Sequence, residues 1–149
     1  MVPFIALIVS FAAFRTAGYL GAEWFDGWAE SLRPAVAVMF LLTASAHWGA
    51  KRKDLTAMVP PTFRNPGFLV TLTGWLEIAG AIGILVPGWI STAAAAGLTL
   101  MLLAMFPANV YAARQRLTLS GKPVTPIVPR TVMQIAFLAA TVGAGWPQP

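Results

Sequence analysis

The chain has 149 residues, of which 58% are hydrophobic and 10% are charged, and its mean hydropathy is +0.73. Soluble globular domains carry about 25% charged residues, so this composition excludes an ordinary soluble fold and predicts an all-α integral membrane protein in one domain. The net charge of +5 does not indicate a nucleic-acid partner, because the basic residues fall in short segments between apolar runs. Without cysteine, the chain itself cannot exchange dithiols or hold an iron–sulfur cluster.

Five apolar runs predict about five membrane-spanning helices. The first run, residues 2–20, follows no basic residue and is interrupted by Arg15, which favours a retained helix over a signal peptide. We expect the polar stretch 21–33 to form an extramembrane loop or a short helix at the membrane interface, and Pro34 to begin the second helix. The four later spans are predicted at residues 34–50, 68–87, 90–113 and 131–146.

The third predicted span carries one carboxylate, Glu77, close to its midpoint. A charged group at the bilayer centre costs about 3 kcal/mol or more, so it normally has a partner or a function. The small residues Gly74, Gly80 and Gly83 in the same span allow another helix to approach closely. This span is therefore predicted to be the one around which the others pack.

Arg15 is the predicted partner of Glu77. At about 1.5 Å per residue, both lie about 14 to 18 Å from the cytoplasmic ends of their spans, and they are the two charges inside the spans. We therefore expect a buried ion pair between the first and third helices. Such a pair either neutralises charge and fixes helix register, or handles protons or anchors a ligand.

The distribution of charge predicts which side of the membrane each segment occupies. The segments after the second and fourth spans are strongly basic, whereas residues 21–33 are acidic. The positive-inside rule then places the N-terminus in the cytoplasm and the C-terminus outside. The same topology puts four tryptophans at the outer interface, where tryptophan is enriched: Trp24, Trp28, Trp89 and Trp146.

Three polar side chains lie at a similar shallow depth on three different spans: His47, Asn109 and Gln134. Together they are candidates to line a pocket of the kind that a quinone headgroup occupies. The alternative is an interfacial histidine and two hydrogen bonds between helices. The sequence shows no paired carboxylates, nucleophile–base pair, phosphate loop or metal-ligand cluster, so we expect no catalytic residues and no metal site in this chain.

Four sequence runs occur in an order that resembles the DoxX family of small bacterial membrane proteins: DLTAMVPP from Asp54, TGWLEIAGAIGILVP from Thr73, FPANVYAA from Phe106 and PRTVMQ from Pro129. The resemblance covers residues 33 to the C-terminus. It implies a four-helix transmembrane bundle in the bacterial inner membrane, to which residues 2–20 add an N-terminal helix. It also matches Arg33, Glu77, Pro107 to Asn109, and Arg130 with Gln134 to positions where the family pattern concentrates polar residues.

The sequence leaves two main classes of function open, the first implied by the resemblance and the second by the charge of Glu77 inside a predicted span. Some DoxX family members are small subunits of quinone-linked oxidoreductases or belong to oxidative-stress assemblies, so we expect a non-catalytic or quinone-contacting subunit with an oxidoreductase partner and the lipid bilayer around it. The alternative is a small proton-coupled transporter that uses Glu77 and its counter-charge Arg15. A quinone subunit requires an apolar lateral cleft, whereas a transporter requires a water-accessible cavity that reaches Glu77. The residues leave the oligomeric state open.

Overall fold

The computed structural model describes residues 1–146, and within them the chain is mostly helical. The prediction of an all-α protein is confirmed. The C-terminus, predicted to lie on the side of the membrane opposite the cytoplasm, falls outside the described residues. Six α-helices occur in chain order: α1 (Val2–Tyr19), α2 (Trp28–Ser45), α3 (Arg52–Met58), α4 (Pro66–Gly83), α5 (Trp89–Arg114) and α6 (Ile127–Gly145). A 3-10 turn (Glu23–Phe25) precedes α2, and two short strands, β1 (Thr118–Leu119) and β2 (Lys122–Pro123), precede α6.

Four of these helices, α1, α4, α5 and α6, are long and apolar enough to cross a membrane. Helix α2 has the same length as α1 and α4, 18 residues, but it is not apolar enough to be a candidate membrane span. Glu30 and Arg33 lie in its N-terminal third and lower its hydropathy. The helices of residues 1–146 thus fit a membrane protein with four candidate spans, whereas the sequence predicted about five.

Helix α2 begins at Trp28, six residues before the predicted start at Pro34. Gly27 has an extended backbone (φ −92°, ψ 165°) and forms the N-cap. The acidic Glu30 lies in the first turn, where the helix dipole favours negative charge. Pro34 therefore lies inside the helix, at the cost of the backbone hydrogen bond that its missing N–H would have made. Much of the predicted outer loop is consequently helical.

Helices α2, α4, α5 and α6 form a closed ring, in which α2 packs against α4 and α6, and α5 packs against the same two helices. Helix α2 supplies the two largest fully buried side chains, Phe40 and Met39. Helix α1 packs outside the ring against α2, where Phe11 stacks on Trp28 with ring centroids 5.2 Å apart. The helix with the lowest hydropathy of the long helices is therefore central to the packing, and the N-terminal helix is peripheral.

Helix α3 and the strand pair lie together at one end of the ring. The strands are joined by a two-residue turn in which Ser120 and Gly121 both have positive φ, as a type I′ turn requires. The backbone N–H of Ser120 donates to the Asp54 carboxylate of α3 at 2.7 Å. Met58, Ala112 and Val124 form a small apolar cluster beneath this contact. The two basic segments of the sequence, one after α2 and one after α5, are thus packed against each other.

Candidate binding cleft

An apolar cleft of about 600 Å³ opens between α4 and α5, and α3 with the segment that follows it closes one end. Its lining consists mainly of aliphatic and methionine side chains, such as Leu69, Leu76 and Met105. The polar side chains that reach it are His47, Thr73 and Asn109. A concave apolar site with a few convergent polar groups is the usual form of a small-molecule site.

The cleft exists because α4 and α5 diverge along their length. A short connection joins the two helices at one end, where small residues hold them close: a Cβ at Gly83 would lie 2.9 Å from the Ala94 Cβ, and one at Gly80 would overlap the Leu98 side chain. At the other end α3 packs against both helices. Gly97 of α5 lines the cleft, and a Cβ there would meet no atom within 4 Å.

His47 lies just beyond the end of α2 and is only 4% exposed. Its Nδ1 lies 3.1 Å from the carbonyl oxygen of Thr43, so Nδ1 carries the proton and donates it to that carbonyl. The backbone carbonyl of His47 in turn accepts a hydrogen bond from the Arg52 guanidinium at 2.9 Å. The ring and the backbone carbonyl of His47 are therefore both fixed by hydrogen bonds before any ligand binds.

Glu77 lies directly behind His47 and is 3% exposed. Its Oε2 accepts a hydrogen bond from the Thr43 hydroxyl at 2.8 Å and lies 3.8 Å from Nδ1 of His47. Gly74, one turn earlier in α4, makes this approach possible, because a Cβ there would lie 2.8 Å from the His47 Cβ. Thr43, His47 and Glu77 thus form a buried polar cluster that joins α2 to α4.

Asn109 reaches the cleft from α5, two residues after Pro107. Its Oδ1 accepts a hydrogen bond from the Arg130 guanidinium of α6 at 2.5 Å. A second bond from Arg130 to the carbonyl of Thr125, at 3.3 Å, holds the guanidinium in place. The resemblance implied polar roles for Asn109 and Arg130 separately, and the structure brings the two side chains together.

Gln134 does not line the cleft, although it was predicted to share a pocket with His47 and Asn109. Its side-chain amide donates instead to the backbone carbonyl of Leu102 in α5 at 2.8 Å, and it is 7% exposed. Gln134 therefore faces α5 from α6. Of the two predicted roles, it has that of a hydrogen bond between helices.

The predicted ion pair between Arg15 and Glu77 does not form. Arg15 donates to the backbone carbonyls of Phe25 and Asp26, and its guanidinium lies 4.2 Å from the centre of the Tyr19 ring. It is four residues from the end of α1, so its long side chain extends to the polar backbone at that end rather than across the bundle. Equal depth on two helices did not imply that the two side chains face each other.

Sequence reasoning missed Thr43, which belongs to the cluster, and Arg52, which bonds to the backbone of His47. Thr43 precedes His47 by four positions, the spacing that places two side chains on one helix face, and this signal was available in the sequence. Arg52 lies in the basic run 51–53, which in sequence suggests only topology and lipid contact. In the structure its guanidinium bonds to His47, Gly67 and Thr71 and ties the end of α2 to the start of α4.

The fold and cleft define a helical protein whose apolar helices fit a membrane and enclose a lateral apolar site. The chain belongs to the family described as "Domain of unknown function (DUF8561)", which matches residues 36–144. That range begins inside α2 and extends almost to the end of α6, so it contains the ring, the cleft and the polar cluster. No curated protein and no solved structure matches the chain.

Proposed function

We propose that this protein is a non-catalytic subunit of a membrane oxidoreductase assembly and that it binds a quinone in the cleft between α4 and α5. The observation that carries the proposal is an apolar lateral cleft that contains His47 and Asn109. The DoxX-like sequence runs support the link to quinone-linked assemblies, and the family match itself adds nothing to that link.

The proposed location is the bacterial inner membrane, with α2 as a fifth membrane-embedded helix. Helices α1, α4 and α6 pack against α2, so few of its side chains would face lipid. The basic segments around α3 and the strand pair would lie at the cytoplasmic face, in keeping with the positive-inside rule. The cleft would then open between α4 and α5 toward the cytoplasmic leaflet, through which a quinone diffuses.

A quinone suits this cleft for two reasons. The lining is mostly aliphatic, which matches a hydrophobic ring and tail, and the few polar groups match a headgroup with oxygen atoms. The chain has no cysteine, so electrons would pass between the bound quinone and an oxidoreductase partner rather than through a thiol of the chain. Its role would be to hold the quinone and the partner together at the bilayer.

The alternative of a proton-coupled transporter has less support. Its counter-charge, Arg15, bonds to carbonyls near the end of α1 rather than to Glu77. Glu77 is 3% exposed and does not line the cleft, so no open path to it is visible from that side. The buried cluster with Thr43 and His47 instead supports a positioning role for Glu77.

The binding part of the proposal is tested by extracting quinones from the protein purified in its native lipids. We expect quinone to copurify with the wild-type chain and to be lost from Gly97→Phe, which fills the cleft at a position where the added Cβ has open space. Ala139→Phe is the matched control, because Ala139 is exposed on α6 and does not line the cleft. Equal quinone content in Gly97→Phe and wild-type protein would contradict binding at this site.

The assembly part is tested separately by a pull-down from native membranes, with copurifying proteins identified by mass spectrometry. Recovery of an oxidoreductase in a fixed ratio to the chain supports a subunit. Recovery of the chain with quinone but without any oxidoreductase would contradict the assembly part of the proposal and support the binding part. Recovery of the chain alone would contradict both parts.

A further inference from the structure

The donor and acceptor roles of His47 are set by its own hydrogen bond. Since a carbonyl oxygen only accepts, the bond from Nδ1 to the Thr43 carbonyl requires a proton on Nδ1. The ring is almost fully buried, which disfavours the second proton that would make it cationic; the facing Glu77 carboxyl, with its Oε2 3.8 Å from Nδ1, is bonded to the Thr43 hydroxyl. Within residues 1–146 the Nε2 atom makes no hydrogen bond, and in the neutral ring it is an acceptor.

The orientation of the Asn109 amide is set in the same way. A guanidinium only donates, so the atom of Asn109 that lies 2.5 Å from Arg130 must be the carbonyl oxygen. The amide nitrogen, with its two N–H donors, is left for the cleft, because it has no hydrogen-bond partner in the described part of the chain. The cleft therefore offers a ligand one acceptor, from His47, and one donor group, from Asn109.

We propose that the cleft prefers the reduced, hydroxyl-bearing form of its ligand: a hydroquinone rather than the corresponding quinone. A hydroquinone donates one hydroxyl proton to His47 and accepts from Asn109 through an oxygen. A quinone has only acceptor oxygens, so it satisfies Asn109 and leaves the His47 acceptor unpaired. This inference rests on the proposed quinone site and adds the oxidation state that the site selects.

The test compares three probes with the same decyl tail: a hydroquinone, its quinone, and the hydroquinone dimethyl ether. Binding is measured without oxygen to nanodiscs that contain the protein, and discs with Gly97→Phe protein correct for partition into lipid. We expect the wild-type chain to bind the hydroquinone about tenfold more tightly than either other probe, since one hydrogen bond is gained and one buried acceptor is no longer unpaired.

Two variants are expected to move this preference in opposite directions. His47→Phe removes the acceptor, so the hydroquinone should bind no more than about twofold more tightly than the quinone. Asn109→Asp keeps an oxygen for Arg130 but replaces the amide donor with an acceptor, so quinone binding should be lost while the hydroquinone still donates a hydroxyl. Thermal unfolding of each variant checks that it is folded, and if His47→Phe is not, the Asn109→Asp arm alone decides.

The outcomes distinguish failure of the hydroquinone preference from failure of the proposed quinone site. If quinone and hydroquinone bind the wild-type chain equally, or the quinone binds more tightly, the preference is wrong but the site stands. An unchanged preference in folded His47→Phe, or retained quinone binding in Asn109→Asp, likewise overturns the assigned roles. If neither probe binds better than to Gly97→Phe discs, the quinone site itself is overturned.

Discussion

The two sides of α5 differ in how they meet their neighbours. Toward α6 the contact is closed: Gly145 lies against Ala95, the Thr92 hydroxyl donates to the carbonyl of Gly145 at 2.9 Å, and Gln134 donates to the carbonyl of Leu102. Toward α4 the helices touch closely at Gly80 and Gly83 and then separate into the cleft. The side of α5 that faces α6 is therefore tightly packed, whereas the side that faces α4 leaves space for a ligand.

The difference shows that small residues alone do not close a helix interface. Gly97 lines the cleft and a Cβ there would meet nothing within 4 Å, although Leu98, the next residue of α5, packs against Gly80 of α4. The face of the helix on which a glycine lies therefore decides whether it permits close packing or borders a cavity.

The largest expected loss of stability follows from a substitution where α4 and α5 pack closely. Gly80→Leu should lower the free energy of unfolding by about 1 to 3 kcal/mol, because the new side chain overlaps Leu98. Gly97→Leu is the matched substitution at the open part and should change it by no more than about 0.5 kcal/mol. Denaturant unfolding in mixed micelles measures both, and equal losses would remove the distinction between the two parts.

An intermediate effect is expected in the polar cluster behind the cleft. Thr43→Val should destabilise the fold by about 1 to 2 kcal/mol, because it removes the hydroxyl that donates to Glu77. Much of that loss should disappear in the Glu77→Met background. The effects of Arg15→Met and Glu77→Met should instead add within about 0.5 kcal/mol, since these residues share no contact. Coupling between Arg15 and Glu77 in this double-mutant cycle would instead show that the two side chains form an ion pair.

The smallest expected effect is on the closed α5 and α6 contact. Gln134→Leu removes one hydrogen bond between the helices and should cost about 0.6 kcal/mol, the average found for such bonds in a membrane bundle. Quinone retention should not change, because Gln134 lies away from the cleft. Loss of quinone from a folded Gln134→Leu protein would mean that the site extends to α6, and Met133→Leu serves as the control for substitution in the same turn.

The sequence predicted the helical class and the approximate positions of the long helices, because apolar runs of membrane length are a strong signal. It misplaced the start of α2, since Pro34 is typical of a first helical turn but is tolerated inside a helix. The segment after the fourth predicted span was described only as basic, and its Ser120 and Gly121 turn was overlooked.

The candidate site was predicted only in part. His47 and Asn109 share the cleft, as their common depth suggested, but depth carries no information about which way a side chain faces. That direction depends on helix rotation, which small residues such as Gly74 determine through packing. Gln134 and Arg15 were misassigned for this reason.

The central claim is that a quinone-like molecule occupies the cleft, and photoaffinity labelling tests it most directly. A hydroquinone with an aryl azide on its tail would be photolysed in nanodiscs that contain the protein, and the labelled residues would be identified by mass spectrometry. The account predicts labels on the cleft-lining residues of α4 and α5, between Leu69 and Met105, and their loss in Gly97→Phe. Labels on α1 or α6, or labelling that persists in Gly97→Phe, would contradict it.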